Sequence, residues 1–304
     1  MKIIEKRKTF FTISLILILS GLIAMPIFLA IEGRILNYDL EFSGGSMLHV
    51  NIGQPFDNND IADIVAEVTG NSTPQIQKVT GKEEVIIKTV EMDTETRDRL
   101  YQALQEKYGL KDGKDGDFLN FSNISPSVSG EMKVKAFQAV GLSALAMLIY
   151  ISLRFKDYRL GLSAVLALLH DVLIMLTVYA VFRVPVNNSF IAAMLTIVGY
   201  SINDTIVIFD RIRENQHKMK RSSLEELINR SVTQTMIRSI NTSITTFVMI
   251  AVLYFLGVSS IKEFALPLMV GVLSGTYSSI FIASPLWYVL KKRAANKKEA
   301  NANA

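Results

Sequence analysis

A carboxylate held among apolar side chains can take up and release a proton, and one stands in the stretch VGYSINDTIVIFDRIREN, Val198 to Asn215. Asp204 lies there with Asn203 beside it. At helical spacings of three, four and seven its face is shared by Tyr200, Ser201, Val207, Ile208 and Arg211. The hydroxyls of Tyr200 and Ser201 can donate to the carboxylate or hold a water, and Asn203, about 100° around, can bridge to a neighbouring helix. An ionisable residue near the centre of a span costs about 2.5–3.5 kcal/mol on insertion, so it must face protein or a wet cavity. Burial favours the neutral form of a carboxylate and a nearby cation the charged form, so a site between the two can load and release a proton. The same residue in a fixed ion pair would lock two helices together.

Arg238, in MIRSINTS, is the candidate counter-charge for Asp204, and the alternative is an anchor at the cytoplasmic interface. His170 and Asp171, in ALLHDVLIML, form either part of a proton path or a hydrogen-bonded pin between helices. Asp210 can pair with Arg213 and is read as a solvated helix end. Gly271, Gly275 and Ser279 recur every four residues, which lets two helix backbones approach closely.

None of this makes an enzyme. Asp171 lies about 15 Å from the cytoplasmic start of its helix and Asp204 about 8 Å from the cytoplasmic end of the next, at 1.5 Å per residue. An aspartyl dyad sharing one proton needs near-contact. With no cysteine in the chain, disulfides and cysteine-based metal sites are excluded, and no His/Asp spacing suggests a metal or a cofactor.

Positioning these groups requires a membrane. Half of the 304 residues are hydrophobic and the net charge is only +4, with Lys and Arg gathered at the ends of apolar runs rather than in a nucleic-acid-binding patch. Six segments have the roughly 20 apolar residues that a spanning helix needs: 10–31, 134–153, 160–182, 188–209, 242–260 and 264–290. The first is too long for a signal peptide and has no small-x-small cleavage site. Lys2, Lys6, Arg7 and Lys8 precede it; Arg154, Lys156 and Arg159 join the second and third spans. Arg211, Arg213, Lys218, Lys220 and Arg221 follow the fourth, and Lys291, Lys292 and Arg293 the sixth. The other side has Arg183 and Lys262 in its short loops. Both termini are therefore expected in the cytoplasm. Trp287 and Tyr288 are expected at the cytoplasmic membrane interface.

The expected organisation is a cytoplasmic N-terminus and first helix (1–31), an extracytoplasmic domain (32–133), a five-helix membrane domain (134–290) and a basic cytoplasmic tail (291–304). Within the third, segment 211–241 contains an amphipathic helix: Ser222 or Ser223 with Glu225 or Glu226 opens it, and Leu224, Leu227, Ile228, Val232 and Met236 line one face. The exported segment reads as strand SMLHVNI, helix NNDIADIVAEVTG, strands PQIQKVTG and EEVIIKTV, helix TETRDRLYQALQEKYG with Thr94 as N-cap, and strand DFLNFSNI. That order, β-α-β-β-α-β, is the ferredoxin-like split arrangement. His49 alternates within a strand as a face residue. The fold class is thus a polytopic α-helical membrane protein of six transmembrane helices with an α+β ferredoxin-like extracytoplasmic domain between helices 1 and 2.

ALLHD, VGYSINDTIVIFDRIREN, IRSINTS and GTYSSIFIASPL, set on six spans with a large exported segment after the first, resemble the SecD/SecF protein-export family within the resistance–nodulation–division superfamily. LNYDLEFSGGS also resembles the family's segment leading into the exported domain, written Asp-Phe-x-Gly-Gly; here Glu41 precedes Phe42, with Asp39 two residues earlier. Gly44 and Gly45 fit a tight turn there. The resemblance implies a bacterial inner-membrane subunit that uses proton flow to help complete preprotein export. It implies Asp204 as the proton-bearing carboxylate and Arg238 as its switchable partner. The implied partners are a SecD-like subunit in a heterodimer, the SecYEG translocon, YajC, unfolded preproteins and membrane lipids, with no nucleic acid. The alternative is half of a proton-driven small-molecule exporter of the same superfamily.

Overall fold

The computed structural model describes residues 1–71, 74–79, 81–111, 116–155, 157–219 and 221–302. Thr80 of the second expected strand, the orienting charges Lys156 and Lys220, and the last two residues of the tail lie outside these. The chain separates into two compact units, Met1–Asn37 with Phe137–Ala304, and Tyr38–Ala136.

The first unit is helical. Helix α1 covers Arg7–Glu32. The smaller unit then supplies α2 (Leu40–Ser43), β1 (Gly45–Asn51), α3 (Asn58–Thr69), β2 (Gln75–Lys78), β3 (Glu84–Thr89), α4 (Thr94–Tyr108) and β4 (Phe118–Ile124). Helix α5 (Pro126–Phe155) leads back, followed by α6 (Tyr158–Val181), α7 (Asn188–Lys218), α8 (Leu224–Leu256) and α9 (Ser259–Ser278). A π-helical turn, Ser279–Ala283, joins α9 to α10 (Ser284–Ala302). Among the described residues, six helical stretches are long and apolar enough to cross a membrane: α1, α5, α6, α7, α8 and the continuous run Ile261–Asn296.

Local chemistry fixes the starts. Asp157 accepts from the amide of Arg159 ahead of α6, and Asn187 from that of Phe190 ahead of α7. Ser223 caps α8 through the amide of Glu226, settling which of the two serines opens that helix. No glycine or proline lies between Met236 and Thr242, so α8 runs unbroken from the expected amphipathic segment into the fifth span. Its apolar face packs in the protein rather than lying on the membrane surface. Leu227, Ile228 and Val232 are buried in one cluster with Ile3, Ile4 and Trp287. The Asn229 Oδ1 holds the N-terminal segment there, accepting from the amides of Ile3 at 2.9 Å and Ile4 at 3.0 Å. Trp287 and Tyr288, expected to mark the interface, are buried in this cluster as well.

In the smaller unit the four strands run in the order β2-β3-β1-β4, with every neighbouring pair antiparallel. Leu48 and Val50 of β1 and Val85 and Ile87 of β3 alternate onto the face covered by Ile61 and Val65 of α3 and Leu100 and Leu104 of α4. Asp93, not Thr94, caps α4, accepting from the amide of Thr96 at 2.8 Å. The aspartate takes this position because its side chain reaches back over the first turn from extended backbone. At the entrance, Gly44 and Gly45 hold φ of 74° and 122°, and a Cβ on Gly45 would stand 2.3 Å from the carbonyl oxygen of Thr89. Glu41 sits within α2, while Asp39 caps that helix and pairs with Lys88 at 2.6 Å.

Candidate functional site

Helices α6, α7 and α9 meet in the middle of the helical unit, and small residues allow the approach. A Cβ added to Gly271 would lie 2.4 Å from Cγ1 of Ile197, and one on Gly275 3.0 Å from Cβ of Ser201. Ser279 extends the seam, donating to the carbonyl of Ser201 at 3.1 Å and lying 3.0 Å from Thr205 Oγ1. The helix-packing triplet therefore faces α7 along its whole length.

Asp171 is the polar centre of this contact. Its Oδ2 accepts from Ser201 and Ser278, each at 2.7 Å, and its Oδ1 from Ser274 at 2.6 Å and from His170 Nδ1 at 3.1 Å. Only 1% of the residue is exposed. Three hydroxyls and an imidazole thus fill the acceptor positions of one carboxylate. On its other side, His170 Nε2 lies 3.0 Å from Ser14 Oγ on α1.

Asp204 is also buried, one turn further along α7 than Ser201, and its surroundings differ. Ser239 and Ser243 of α8 are the nearby hydroxyls, and Arg238 is the cation that acts on it. Even so, Oδ2 of Asp204 and Oγ of Ser239 are both buried with no hydrogen-bond partner among the described residues. A carboxylate oxygen in that position gains most from a proton of its own or from water.

The structure disperses part of the expected cluster. The Tyr200 hydroxyl donates to Thr246 on α8 at 3.3 Å and that of Ser201 to Asp171, so neither serves Asp204. Arg238 is exposed and makes no ion pair with Asp204 within 4 Å. Asn203 is exposed on α7. Asp210 pairs with Arg154 of α5 at 3.2 Å rather than with Arg213. Sequence reasoning missed Ser14, Ser239, Ser274, Tyr277 and Ser278. The four-residue spacing of Ser274 and Ser278 was the available signal, because it puts two hydroxyls on one face of α9.

Buried carboxylates on α6 and α7, among helices long and apolar enough to cross a membrane, fit a polytopic membrane protein with polar groups gathered between its helices. A family profile described as "Protein export membrane protein SecD/SecF, C-terminal" matches residues 105–293. The protein translocase subunit SecF of Petrotoga mobilis is 35% identical over 308 residues, covering 98% of each chain. SecF of Thermobaculum terrenum is 33% identical over 302 residues, 93% of this chain and 92% of that one. Among solved structures, SecDF of Thermus thermophilus superposes with a TM-score of 0.82 at 31% identity, covering 96% of this chain and 39% of that chain. The chain belongs to the SecD/SecF family of protein-export membrane proteins.

Proposed function

We propose that this chain is a proton-motive-force-dependent accessory subunit of Sec protein translocation, acting with a SecD-like subunit to complete preprotein export. The observation that carries the reading is the Asp204 carboxylate, buried within a spanning helix with one oxygen unpartnered and Arg238 as its nearby cation. A transmembrane potential contributes about 2.3 kcal/mol per elementary charge per 100 mV. A proton delivered to Asp204 removes the negative charge that attracts Arg238 across α7 and α8. The two helices then repack, and α1, which precedes residues 38–136 in the chain, and α5, which begins within them and continues into the helical unit, carry the change to the exported domain.

Several observations support the rest of the reading. The strand order β2-β3-β1-β4 with all pairs antiparallel supports a ferredoxin-like reading of this sheet, and the Lys and Arg bias supports an extracytoplasmic position for it. Asn203 on α7 and Arg238, Asn241, Thr242 and Thr245 on α8 are exposed within helices that span the membrane. Polar groups at that depth call for protein or water beside them, which suits a second membrane subunit. SecDF of Bacillus subtilis matches 97% of this chain at 34% identity over only 39% of its own length, leaving room in such a protein for a second half. SecYEG, YajC and unfolded preproteins follow as partners from that role, and both termini are assigned to the cytoplasm.

The test is export in cells that lack the wild-type chain. Asp204→Asn abolishes the proton-dependent stimulation of secretion while copurification of the SecD-like subunit persists. Normal export by that variant would remove Asp204 from the mechanism.

A further inference from the structure

The mechanism above leaves the His170 network unused, and that network extends beyond Asp171. His170 Nε2 lies 3.0 Å from Ser14 Oγ, Ser14 Oγ lies 3.5 Å from the Tyr277 hydroxyl, and that hydroxyl donates to the carbonyl of Phe10 at 2.9 Å. The imidazole also stacks on the Tyr277 ring, centroids 6.0 Å apart. The chain of contacts therefore starts on α6, crosses to α1, touches α9 and ends on the backbone of α1. His170 is 8% exposed and Ser14 5%.

Hydrogen-bond direction along this chain depends on a single proton. With Asp171 ionised, Nδ1 carries the hydrogen of the contact to its Oδ1. In neutral His170, Nε2 is then an acceptor, and the Ser14 hydroxyl donates to it. With a second proton, Nε2–H donates to Ser14 Oγ, and the Ser14 hydroxyl turns to donate to Tyr277. The Tyr277 hydroxyl donates to Phe10 in both cases. One proton from water is taken up, one N–H bond forms, and no bond within the protein breaks. The same atoms thus support two complete patterns. Uptake also converts a buried anion beside a neutral ring into a buried ion pair without net charge.

We infer that His170 is a second proton-responsive residue, positioned to transmit its charge state to α1 through Ser14. Facing it are Asp171 from its own helix, Tyr277 from α9 and Ser14 from α1, while the nearby acid on α7 is Asp204, one turn beyond Ser201. Helix α1 is held tightly at this seam. A Cβ on Gly21, two turns from Ser14, would lie 2.3 Å from Thr177 Oγ1 of α6. A reorientation at Ser14 is therefore felt by a helix that cannot slide freely away and that leads directly into residues 38–136. His170 does not replace Asp204: it acts as a positioning residue within the proton-driven reading, on which its functional meaning rests.

The chain has three histidines, His49, His170 and His217, so His49→Gln with His217→Gln leaves one imidazole to observe. The full chain, labelled with ¹⁵N-histidine, combined with its unlabelled partner subunit and reconstituted in lipid vesicles, would be followed by ¹⁵N NMR between about pH 5 and pH 8, the range in which imidazole ordinarily changes charge. The expected result is loss of the Nε2 lone-pair resonance on acidification while Nδ1 stays protonated, with the transition displaced in Ser14→Ala. A single neutral tautomer throughout, or a transition that Ser14→Ala leaves in place, would overturn the inference and make the pair a static pin. Neither readout requires Asp204 to work, so repeating the titration in Asp204→Asn keeps failure of this inference separate from failure of the export reading.

Discussion

Ser201 donates to Asp171 at 2.7 Å and stands one helical turn from Asp204 on the same helix. Ser201 thus ties the buried carboxylate of α6 to the helix that carries Asp204, and the two carboxylates differ in how far they are satisfied. Asp171 accepts from Ser201, Ser274 and Ser278 and contacts His170, whereas Asp204 keeps one oxygen without a hydrogen-bond partner among the described residues. The first ties α6 to α7 and α9, and the second is the one to which the proposed function assigns the proton. Asp171→Ala strands three hydroxyls and an imidazole, and a loss of about 3–5 kcal/mol is expected, as for removal of one member of a buried pair. Asp204→Asn keeps shape and is expected within about 1 kcal/mol of the parent. Thermal unfolding in detergent, read beside recovery of the partner subunit, checks both. Equal destabilisation by the two would erase the distinction.

The acid six residues later serves as a control. Asp210 pairs with Arg154 while both side chains remain 42% exposed. Exposed pairs of this kind contribute about 0–1 kcal/mol. Asp210→Asn is expected to leave secretion and thermal stability nearly unchanged in the assays where Asp204→Asn abolishes stimulation. A comparable export defect from both variants would mean that charge toward the C-terminal end of α7, not the buried site, is what matters.

Packing beneath the site is equally specific. Cγ1 of Ile197 occupies the space that a Cβ on Gly271 would need, at 2.4 Å. Overpacking of this order costs about 1–3 kcal/mol. Gly271→Ala should therefore lower thermal stability, and Ile197→Ala introduced beside it should recover part of the loss, because the two residues touch. Additive losses in the double variant would show that α7 and α9 do not approach as described.

Much of this was legible in the sequence because it is local. Apolar run lengths marked the six spans, strand alternation gave β1 and β3, and Gly44-Gly45 announced a turn that needs positive φ. The four-residue spacing of Gly271, Gly275 and Ser279 pointed to the α7 seam. What could not be read depends on which helices are neighbours. Nothing near Asp171 in the chain says that Ser274 and Ser278, more than a hundred residues away, close around it. The same holds for Ser14 and His170. The burial of Trp287 follows from the N-terminal segment docking on α8, a contact that no periodicity encodes. Arg238, expected as the counter-charge of Asp204, has an exposed side chain on α8, which spacing alone could not anticipate.

In the smaller unit, Glu84 on β3 makes acid stability testable. Lys82 hydrogen-bonds to its carboxylate and holds it below the ordinary value near 4.5, against the opposing effect of burial; His49 adds a smaller pull in the same direction. A carboxylate depressed in the folded state binds fewer protons there than in the unfolded chain. Its contribution to stability is therefore present above about pH 4.5, the unfolded value, and is lost as pH falls through the lower folded value. His49 and Glu84 also join β1 to β3 across the open face of the sheet, at 3.0 Å. Hydrogen exchange of β1 and β3 amides, corrected for the intrinsic pH dependence of exchange, should show protection decreasing on acidification below that value. Glu84→Gln should flatten this decrease while lowering protection at neutral pH. An unchanged pH dependence in the variant would place the acid sensitivity of this sheet on other carboxylates.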